Sequence, residues 1–447
     1  MRKSLSAWLA VLETQLHDVL SRLRQTIATR PTPRRRASPW YGVEPMEVRL
    51  LLSADFGLAN TPIFDTPAVQ SSPANVFNTK LVGEQNAGGK GDASAATSQN
   101  YAYTVVGNTA NAAVNALSSG LALVGGGTDV NAVFTWMGAK ANGGDFVVLR
   151  ATGTGAYNTY IDNLVPALDS VATLVISTAT GANDAFVAQK IRDAEAIFIA
   201  GGDQADYINL WKNTAVETAI YEAMARGAPI GGTSAGLAVL SDYDFSAQNG
   251  TITSAEALAN PYDSRVILDS GFVNEGDFTT TVSGQQSVLR YLDNLVTDSH
   301  FQQRDRMGRL VTFMARIDQD SSDPNLLPRG IGINEQTALL VEADGMARVV
   351  GNPYSRKLSE AAQQRAVYLL SATATTTMNV TAGQPLNYMN VSVVKADYNP
   401  TTGLGDMFSL ATWSGGVGVT NYALSAFDAN GDGVTDLIST QTAGALY

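Results

Sequence analysis

From about residue 101 onward, short uninterrupted apolar runs alternate with stretches of helical periodicity. The runs are Leu121-Ala122-Leu123-Val124, Phe146-Val147-Val148-Leu149, Ala172-Thr173-Leu174-Val175-Ile176, Ala196-Ile197-Phe198-Ile199-Ala200 and Ala228-Pro229-Ile230. Continuous apolar strands are the mark of a sheet buried on both faces, which parallel sheets require. Between them lie helical patterns such as 205–226, stopped by Gly227 and Pro229. Strand and helix in alternation predict an α/β fold, a mostly parallel sheet with helices on both faces. In such sheets, sites collect in the loops beyond the carboxyl ends of the strands. After about 330 the texture turns strand-rich, at 330–341, 347–350, 365–370, 388–395 and 407–410. A smaller β-rich C-terminal region is therefore expected.

The first hundred residues read differently. Leu5, Leu9, Leu12, Leu16, Leu20 and Leu23 recur at helical steps in a basic amphipathic segment, but Glu13 breaks the apolar run an ordinary signal peptide would need. Pro31-Thr32-Pro33-Arg34-Arg35-Arg36 then interrupts the chain, as a linker or a charge cluster. The segment Val43-Glu44-Pro45-Met46-Glu47-Val48-Arg49-Leu50-Leu51-Leu52-Ser53 resembles the "LEPRxLL" segment of exported and surface proteins of Gram-negative bacteria, with Val48 in place of a proline. The resemblance implies export, to the cell surface or beyond. The expected organisation is a leader at 1–57, an Ala/Asn/Ser/Gly-rich linker at 58–100, the main domain at 101–418 and a tail at 419–447.

Composition narrows the classes. Apolar residues make up 45% of the 447 and charged residues 16%, enough for a large core. The net charge is −12, and residues 51–447 hold 20 Lys/Arg against 37 Asp/Glu. An acidic body argues against a nucleic-acid partner, which needs a basic face. The absence of cysteine removes disulfides, thiolate nucleophiles and Cys-ligated zinc. No run approaches the roughly 18 consecutive apolar residues of a membrane span.

Chemistry is confined to few residues. His17 and His300 are the only histidines, and His17 falls in the leader. Gly231-Gly232-Thr233-Ser234-Ala235-Gly236 places a serine among small residues after an apolar run and before Leu237-Ala238-Val239-Leu240. A nucleophile on a tight strand-to-helix turn needs such neighbours, although a helix-capping serine in a glycine turn reads the same way. Serine needs a base, which His300 can supply, and a carboxylate must then orient the imidazole. Glu335, at the end of an apolar strand, is the candidate; Asp298, two residues before the histidine, competes. Gly201-Gly202-Asp203-Gln204 follows a buried strand, either as a plain turn or as an oxyanion hole made by an N–H of Gly202 or Asp203 together with that of Ala235. Arg304, Arg306 and Arg309 follow the histidine, as carboxylate binders or as a solvated charge run. Gly125-Gly126-Gly127-Thr128-Asp129 lacks both G-x-G-x-x-G and a P-loop lysine, so it reads as a turn.

Taken together and in this order, the serine turn, Gly201-Gly202-Asp203-Gln204, Asp298-x-His300-Phe301 with Arg304-x-Arg306-x-x-Arg309, and Gly330-Ile331-Gly332-Ile333-x-Glu335 resemble the cyanophycinases. These are serine-type exopeptidases of the peptidase family that also holds α-aspartyl dipeptidase. The resemblance spans roughly residues 100–415. It implies a flavodoxin-like fold related to class I glutaminase domains, and a triad of Ser234, His300 and Glu335. Gln204, Asp298, Ser299, Arg304, Arg306 and Arg309 fall at its substrate-pocket positions. Ser299 stands where many members carry glutamine, and Asn334 where aspartate is common. The implied substrate is cyanophycin, a poly-aspartate backbone with arginine on each β-carboxyl, cut from its end into β-Asp-Arg dipeptides without a cofactor. With the export-like segment, the extracellular type is implied. A peptidase for short aspartyl peptides and a non-catalytic surface binder of the same fold are the alternatives; a homodimer is a further expectation.

Asp428-x-Asn430-x-Asp432-Gly433-x-x-Asp436 resembles a calcium loop, with oxygen ligands at its first, third, fifth and ninth positions. Ser439 stands at the twelfth, where a bidentate glutamate belongs, and an Asn/Gly turn is the alternative. Any calcium here would be structural.

Overall fold

The computed structural model describes residues 92–114, 116–271, 287–354, 364–416 and 418–440. The leader and residues 58–91 of the expected linker lie outside the described residues.

The apolar runs do form parallel strands. Five of them lie side by side in the order Ser170–Ile176, Asp145–Arg150, Ala196–Ile199, Ile230–Thr233 and Gly120–Val124, every neighbouring pair parallel. Alternate side chains leave to opposite faces, as strand geometry demands. Leu121, Leu123, Val147, Leu149, Ile197 and Ile199 pack with Val187, Ile191, Trp211 and Ile220 of the helices Ala185–Asp193, Gln204–Trp211 and Ala215–Ala225. Ala122, Val124, Phe146, Val148 and Phe198 pack on the other face, with Phe134 and Ile161 of the helices Asn131–Lys140 and Tyr157–Leu164. This is the flavodoxin-like, doubly wound arrangement. Antiparallel strands extend it at both edges, Tyr101–Gly107 and Asp92–Thr97 at one, Thr337–Glu342 and Met346–Gly351 at the other. Asp92–Thr97, within the segment expected to be linker, pairs with Tyr101–Gly107 at the first of these edges.

A second sheet runs through the β-rich region, and it reaches further back in the chain than expected. It includes Tyr243–Phe245, Leu295–Asp298, Arg329–Ile333, Ala366–Ser371 and Asn387–Asn399. Leu295–Asp298 pairs in parallel with both Tyr243–Phe245 and Arg329–Ile333. The helix Met307–Asp320 covers this sheet, burying Leu310, Phe313 and Met314.

Two expected elements are each split in two. The apolar run 330–341 becomes Arg329–Ile333 in the second sheet and Thr337–Glu342 in the first, with Asn334-Glu335-Gln336 crossing between them. Gln336 turns the chain with φ 57. The pattern 205–226 becomes the helices Gln204–Trp211 and Ala215–Ala225, because Asn213 takes the left-handed region at φ 60, which asparagine tolerates better than most residues. Among the described residues no helix is long and apolar enough to cross a membrane.

Phe198 sits at the centre of the parallel sheet, fully buried, with its ring edge-on to Phe134 at 5.0 Å between centroids. Phe198→Ala should lower the unfolding free energy by about 3–5 kcal/mol in a denaturant titration. A loss below about 1 kcal/mol would mean that the sheet centre can collapse around the gap.

Candidate active site

The strand Ile230–Thr233 delivers Ser234 at its carboxyl end, and the short helix Ala235–Ala238 leaves immediately. Such a reversal forces Ser234 to φ 54 and ψ −114, a backbone conformation that L-residues avoid. The glycines around it are required by crowding. A β-carbon at Gly232 would lie 2.1 Å from the Gly236 carbonyl oxygen, and one at Gly236 would lie 2.1 Å from that of Ile199. The turn thus has the strained backbone and obligatory small neighbours that a nucleophile-bearing turn calls for, and Ser234 makes no side-chain cap bond.

His300 follows the strand Leu295–Asp298 of the second sheet and is held at φ 46. Its N–H donates to the Gly125 carbonyl at 2.7 Å, and the N–H of Phe301 donates to Ile333 at 3.1 Å. The ring then points Nε2 at Ser234 Oγ, 2.8 Å away, and Nδ1 at Glu335 Oε1, 2.7 Å away. For Nε2 to accept the serine proton, Nδ1 must carry the ring proton and donate it to the carboxylate. Three residues far apart in the chain thus form one hydrogen-bonded line. Of the two competing acids, Glu335 is the one beside the imidazole. Its own N–H donates to Gln303 Oε1 at 2.9 Å, which fixes the carboxylate's starting point. The bond from His300 holds the Glu335 carboxyl below the usual glutamate range, against the opposing effect of burial.

The glycine run 125–127 is a site component that sequence reasoning passed over as a turn. A β-carbon at Gly126 would lie 2.5 Å from His300 Nε2, and one at Gly127 would lie 3.2 Å from Glu335 Oε2. Both glycines have positive φ, 89 and 74. The same loop accepts from His300 through Gly125 and from the N–H of Gln336 through Gly126, at 2.8 Å. It is a backbone shelf on which the imidazole and the carboxylate both rest. The one available signal was topological: this loop, too, follows a buried parallel strand at its carboxyl end.

Beside the serine, Gly201 approaches so closely that a β-carbon there would lie 3.5 Å from Ser234 Cβ. That puts the Gly201-Gly202-Asp203 loop next to Ser234, whose other neighbour is the Ala235 N–H at the start of the short helix. The Asp203 carboxylate itself caps the helix Gln204–Trp211, accepting from the Ala205 N–H at 3.0 Å. Gln204 Nε2 donates to the Phe245 carbonyl at 3.3 Å.

The basic residues differ from expectation. Arg309 is buried at 3% exposure, and its guanidinium grips Asp298 with two bonds, Nε to Oδ2 at 2.7 Å and Nη2 to Oδ1 at 2.6 Å. Its plane also lies 5.1 Å from the Phe245 ring. Asp298 Oδ1 receives two further bonds, from Arg306 Nη1 at 3.2 Å and from the Ser299 N–H at 2.9 Å. Asp298 and Arg309 thus form a buried ion pair at the end of the histidine strand. Ser299 is buried and accepts from Arg306 through its carbonyl at 2.9 Å. Burial pulls the Arg306 guanidinium down to about 9, with Asp298 acting in the opposite direction, so it stays charged at neutral pH. Arg304 is the exposed member of the series. Asn334, fully buried, donates to Gln302 Oε1 and to the Gln364 carbonyl, both at 3.1 Å. Aspartate, common at this position in the family it resembles, could make neither bond when ionised.

The acidic loop of the tail turns its side chains onto its own backbone. Asp428 accepts from the N–H groups of Gly431 at 2.7 Å, Gly433 at 2.8 Å and Asp432 at 3.2 Å, and those bonds, Gly433's first, hold its carboxyl below the usual range. Asn430, Asp432 and Asp436 likewise accept from backbone N–H groups. Among the described residues no three His, Cys, Asp or Glu side chains are gathered so that they could hold a metal ion. The loop has the bonding of an Asn/Gly turn, with Gly431 and Gly433 at φ 80 and 83.

Two expectations follow for the triad. Gly126→Ala should displace the imidazole by the width of a methyl group and slow the reaction of Ser234 with a fluorophosphonate by about 100-fold, in a protein whose circular dichroism is unchanged. Labelling at the wild-type rate would show that the shelf does not position the ring. Glu335 has a folded pKa below its unfolded value, so its contribution to stability is present above the unfolded value and is lost as pH falls through the folded one. Glu335→Gln should therefore flatten the acid limb of the plot of melting temperature against pH, leaving the alkaline limb unchanged; an unaltered acid limb would contradict the assigned bond.

Residues 146–259 match the family model described as Peptidase family S51. Cyanophycinase of Synechococcus elongatus is 29% identical over 182 residues, 40% of this chain and 47% of that protein. Cyanophycinase of Trichormus variabilis is 28% identical over 166 residues, 37% and 45% of the two chains. The chain thus spans about half the length of the curated relatives it matches. A crystal structure of a peptidase from an acI-B1 Actinobacterium is similar at 18% identity over 61% of this chain and 94% of that one, with a TM-score of 0.35. The segment that matches the family model carries the serine turn and the Gly201-Gly202 loop.

Proposed function

We propose that this protein is an exported serine exopeptidase that degrades cyanophycin to β-Asp-Arg dipeptides. The observation that carries the reading is the line Ser234 Oγ, His300 Nε2, His300 Nδ1, Glu335 Oε1, with spacings of 2.8 and 2.7 Å. Ser234 attacks the main-chain carbonyl next to the terminal unit while Nε2 takes the hydroxyl proton. Negative charge develops on the carbonyl oxygen, where N–H groups of Ala235 and of the Gly202–Asp203 loop receive it. The imidazolium, stabilised by ionised Glu335, returns the proton to the leaving amine. Water then enters, gives a proton to Nε2 and releases the acyl group by the reverse steps. The scheme calls on no metal or organic cofactor.

The substrate rests on the motif order and on the curated relatives that bear the name cyanophycinase. Gln204 and Arg306 lie at the pocket positions of that family and Arg304 is exposed, so a polyacidic backbone has cationic groups to meet. Export rests on residues 43–55, outside the described residues. The burial of Arg309 favours a second reading, a peptidase for short aspartyl or isoaspartyl peptides, since fewer guanidinium groups remain for a long acidic chain.

Purified protein incubated with insoluble cyanophycin granules should release β-Asp-Arg, identified by mass, and Ser234→Ala should release none. Hydrolysis of short isoaspartyl peptides with granules left intact would select the second reading. Full activity of Ser234→Ala would remove the nucleophile assignment altogether.

A further inference from the structure

Tyr207 is a side chain that the scheme above does not use, and its hydroxyl is closely engaged behind the nucleophile. It lies on the helix Gln204–Trp211, one turn beyond the glycine loop, and is buried at 1% exposure. Its ring stacks on Trp211 at 4.5 Å between centroids, and the Trp211 indole donates to the Ile176 carbonyl at 3.0 Å. The phenolic oxygen lies 2.8 Å from the Ala200 carbonyl oxygen and 3.2 Å from that of Gly201. It also receives the backbone N–H of Ala151. Burial pushes its ionisation well above the ordinary tyrosine range.

These contacts bear on the peptide units of the loop. In a trans peptide the carbonyl and the following N–H point to opposite sides. A Gly201 carbonyl drawn inward to Tyr207 therefore turns the Gly202 N–H away from the tyrosine. The inward side is full: a β-carbon at Gly202 would lie 2.9 Å from the tyrosine oxygen. On the nucleophile's side, the same loop meets Ser234, whose Cβ would be 3.5 Å from a β-carbon at Gly201. Successive N–H groups facing one way form the concave donor set that stabilises an oxyanion.

We infer that Tyr207 is a positioning residue for the oxyanion hole: its one hydroxyl proton, shared between the Ala200 and Gly201 carbonyls, holds both peptide units and so aims the Gly202 N–H at the oxygen of the acylating substrate. The inference rests on the serine-acylation reading above. It assigns to Tyr207 no contact with substrate, and it sets what the family's shared motif leaves open, namely what keeps two adjacent glycines from turning over.

The test uses the full chain, a small fluorophosphonate that phosphonylates Ser234 with loss of fluoride irrespective of the natural substrate, and three variants. Tyr207→Phe keeps the stacked ring and removes the hydroxyl; its labelling rate constant should fall about 10- to 100-fold, less than or equal to the loss of a whole donor. Trp211→Phe weakens the packing but keeps the hydroxyl, and should label at the wild-type rate. The downfield proton resonance of His300 Nδ1–H should stay in place in Tyr207→Phe, which a general loosening of the site would not allow. Gly202→Ala drives a methyl group against the tyrosine and should slow labelling too. Combined with Tyr207→Phe, the losses should not add, because both act through one peptide unit. If Tyr207→Phe does not fold, Gly202→Ala carries the test, and wild-type labelling of that variant overturns the inference. Unlabelled wild-type protein removes the acylation reading and this inference with it. A wild type that labels, together with Tyr207→Phe that labels equally fast, overturns this inference alone.

Discussion

An imidazole with 4% of its side chain exposed has no water to fall back on, so each ring nitrogen must find a protein partner or cost free energy. His300 finds a hydroxyl on one side and a carboxylate on the other, and its backbone is tied by its own N–H to Gly125. The rest of the site is arranged so that this one ring can sit there. Side-chain-free backbone at Gly126 and Gly127 makes the room, left-handed turns at Ser234, His300 and Gln336 set the approach, and Gln303 and Asn334 anchor the segments on either side. Each non-glycine turn of this kind costs of order 1–3 kcal/mol. Three around one hydrogen-bonded line is a cost that only well-packed sheets on both sides can offset.

Those sheets also explain why the three groups of this line come from such distant positions. Ser234 ends a strand of the doubly wound sheet, His300 follows a strand of the second sheet, and Glu335 lies in the three-residue passage from the second sheet to the first. Glu335 is the group whose place depends most on both. If either sheet slipped by one register position, the side chains of its strands would change faces, and the passage could no longer present the carboxylate to Nδ1. Triad geometry and the joining of the sheets are therefore one constraint, expressed at Asn334-Glu335-Gln336.

This also marks where the sequence was legible and where it was not. The five parallel strands could be read from their apolar runs because burial on both faces leaves a local signature. Ser234 and His300 could be read because a serine among obligatory small residues and a lone histidine outside the leader are rare events. The passage at 334–336 was hidden: Gly330 to Val341 is apolar on both sides of it, and hydropathy does not record a change of sheet. Likewise nothing local distinguishes Asn213 from a helical residue until its φ is seen. Gly126 could not be recognised as a shelf because its partner, His300, is 174 positions away, and a glycine's lack of a side chain carries no address.

The arginines illustrate a deeper limit. A guanidinium suits a substrate carboxylate and an internal carboxylate equally well, so spacing alone cannot say which it holds. Arg309 is committed to Asp298 in the interior, where removing either partner would leave a buried charge at a cost of about 3–5 kcal/mol. Arg306 shares the same carboxylate but keeps 12% of its side chain exposed. The pair fixes the end of the histidine strand from beneath, and Arg306 projects from that fixed base toward the loop that carries the base itself. What looked like three equivalent binding groups is graded instead: one buried for support, one shared between support and surface, and one exposed. The inner end of the series is fixed against the strand that leads into the imidazole. Asp298 thus ties Arg306 and Arg309 to the strand that leads into His300, although its carboxylate is not part of the hydrogen-bonded line from Ser234 to Glu335.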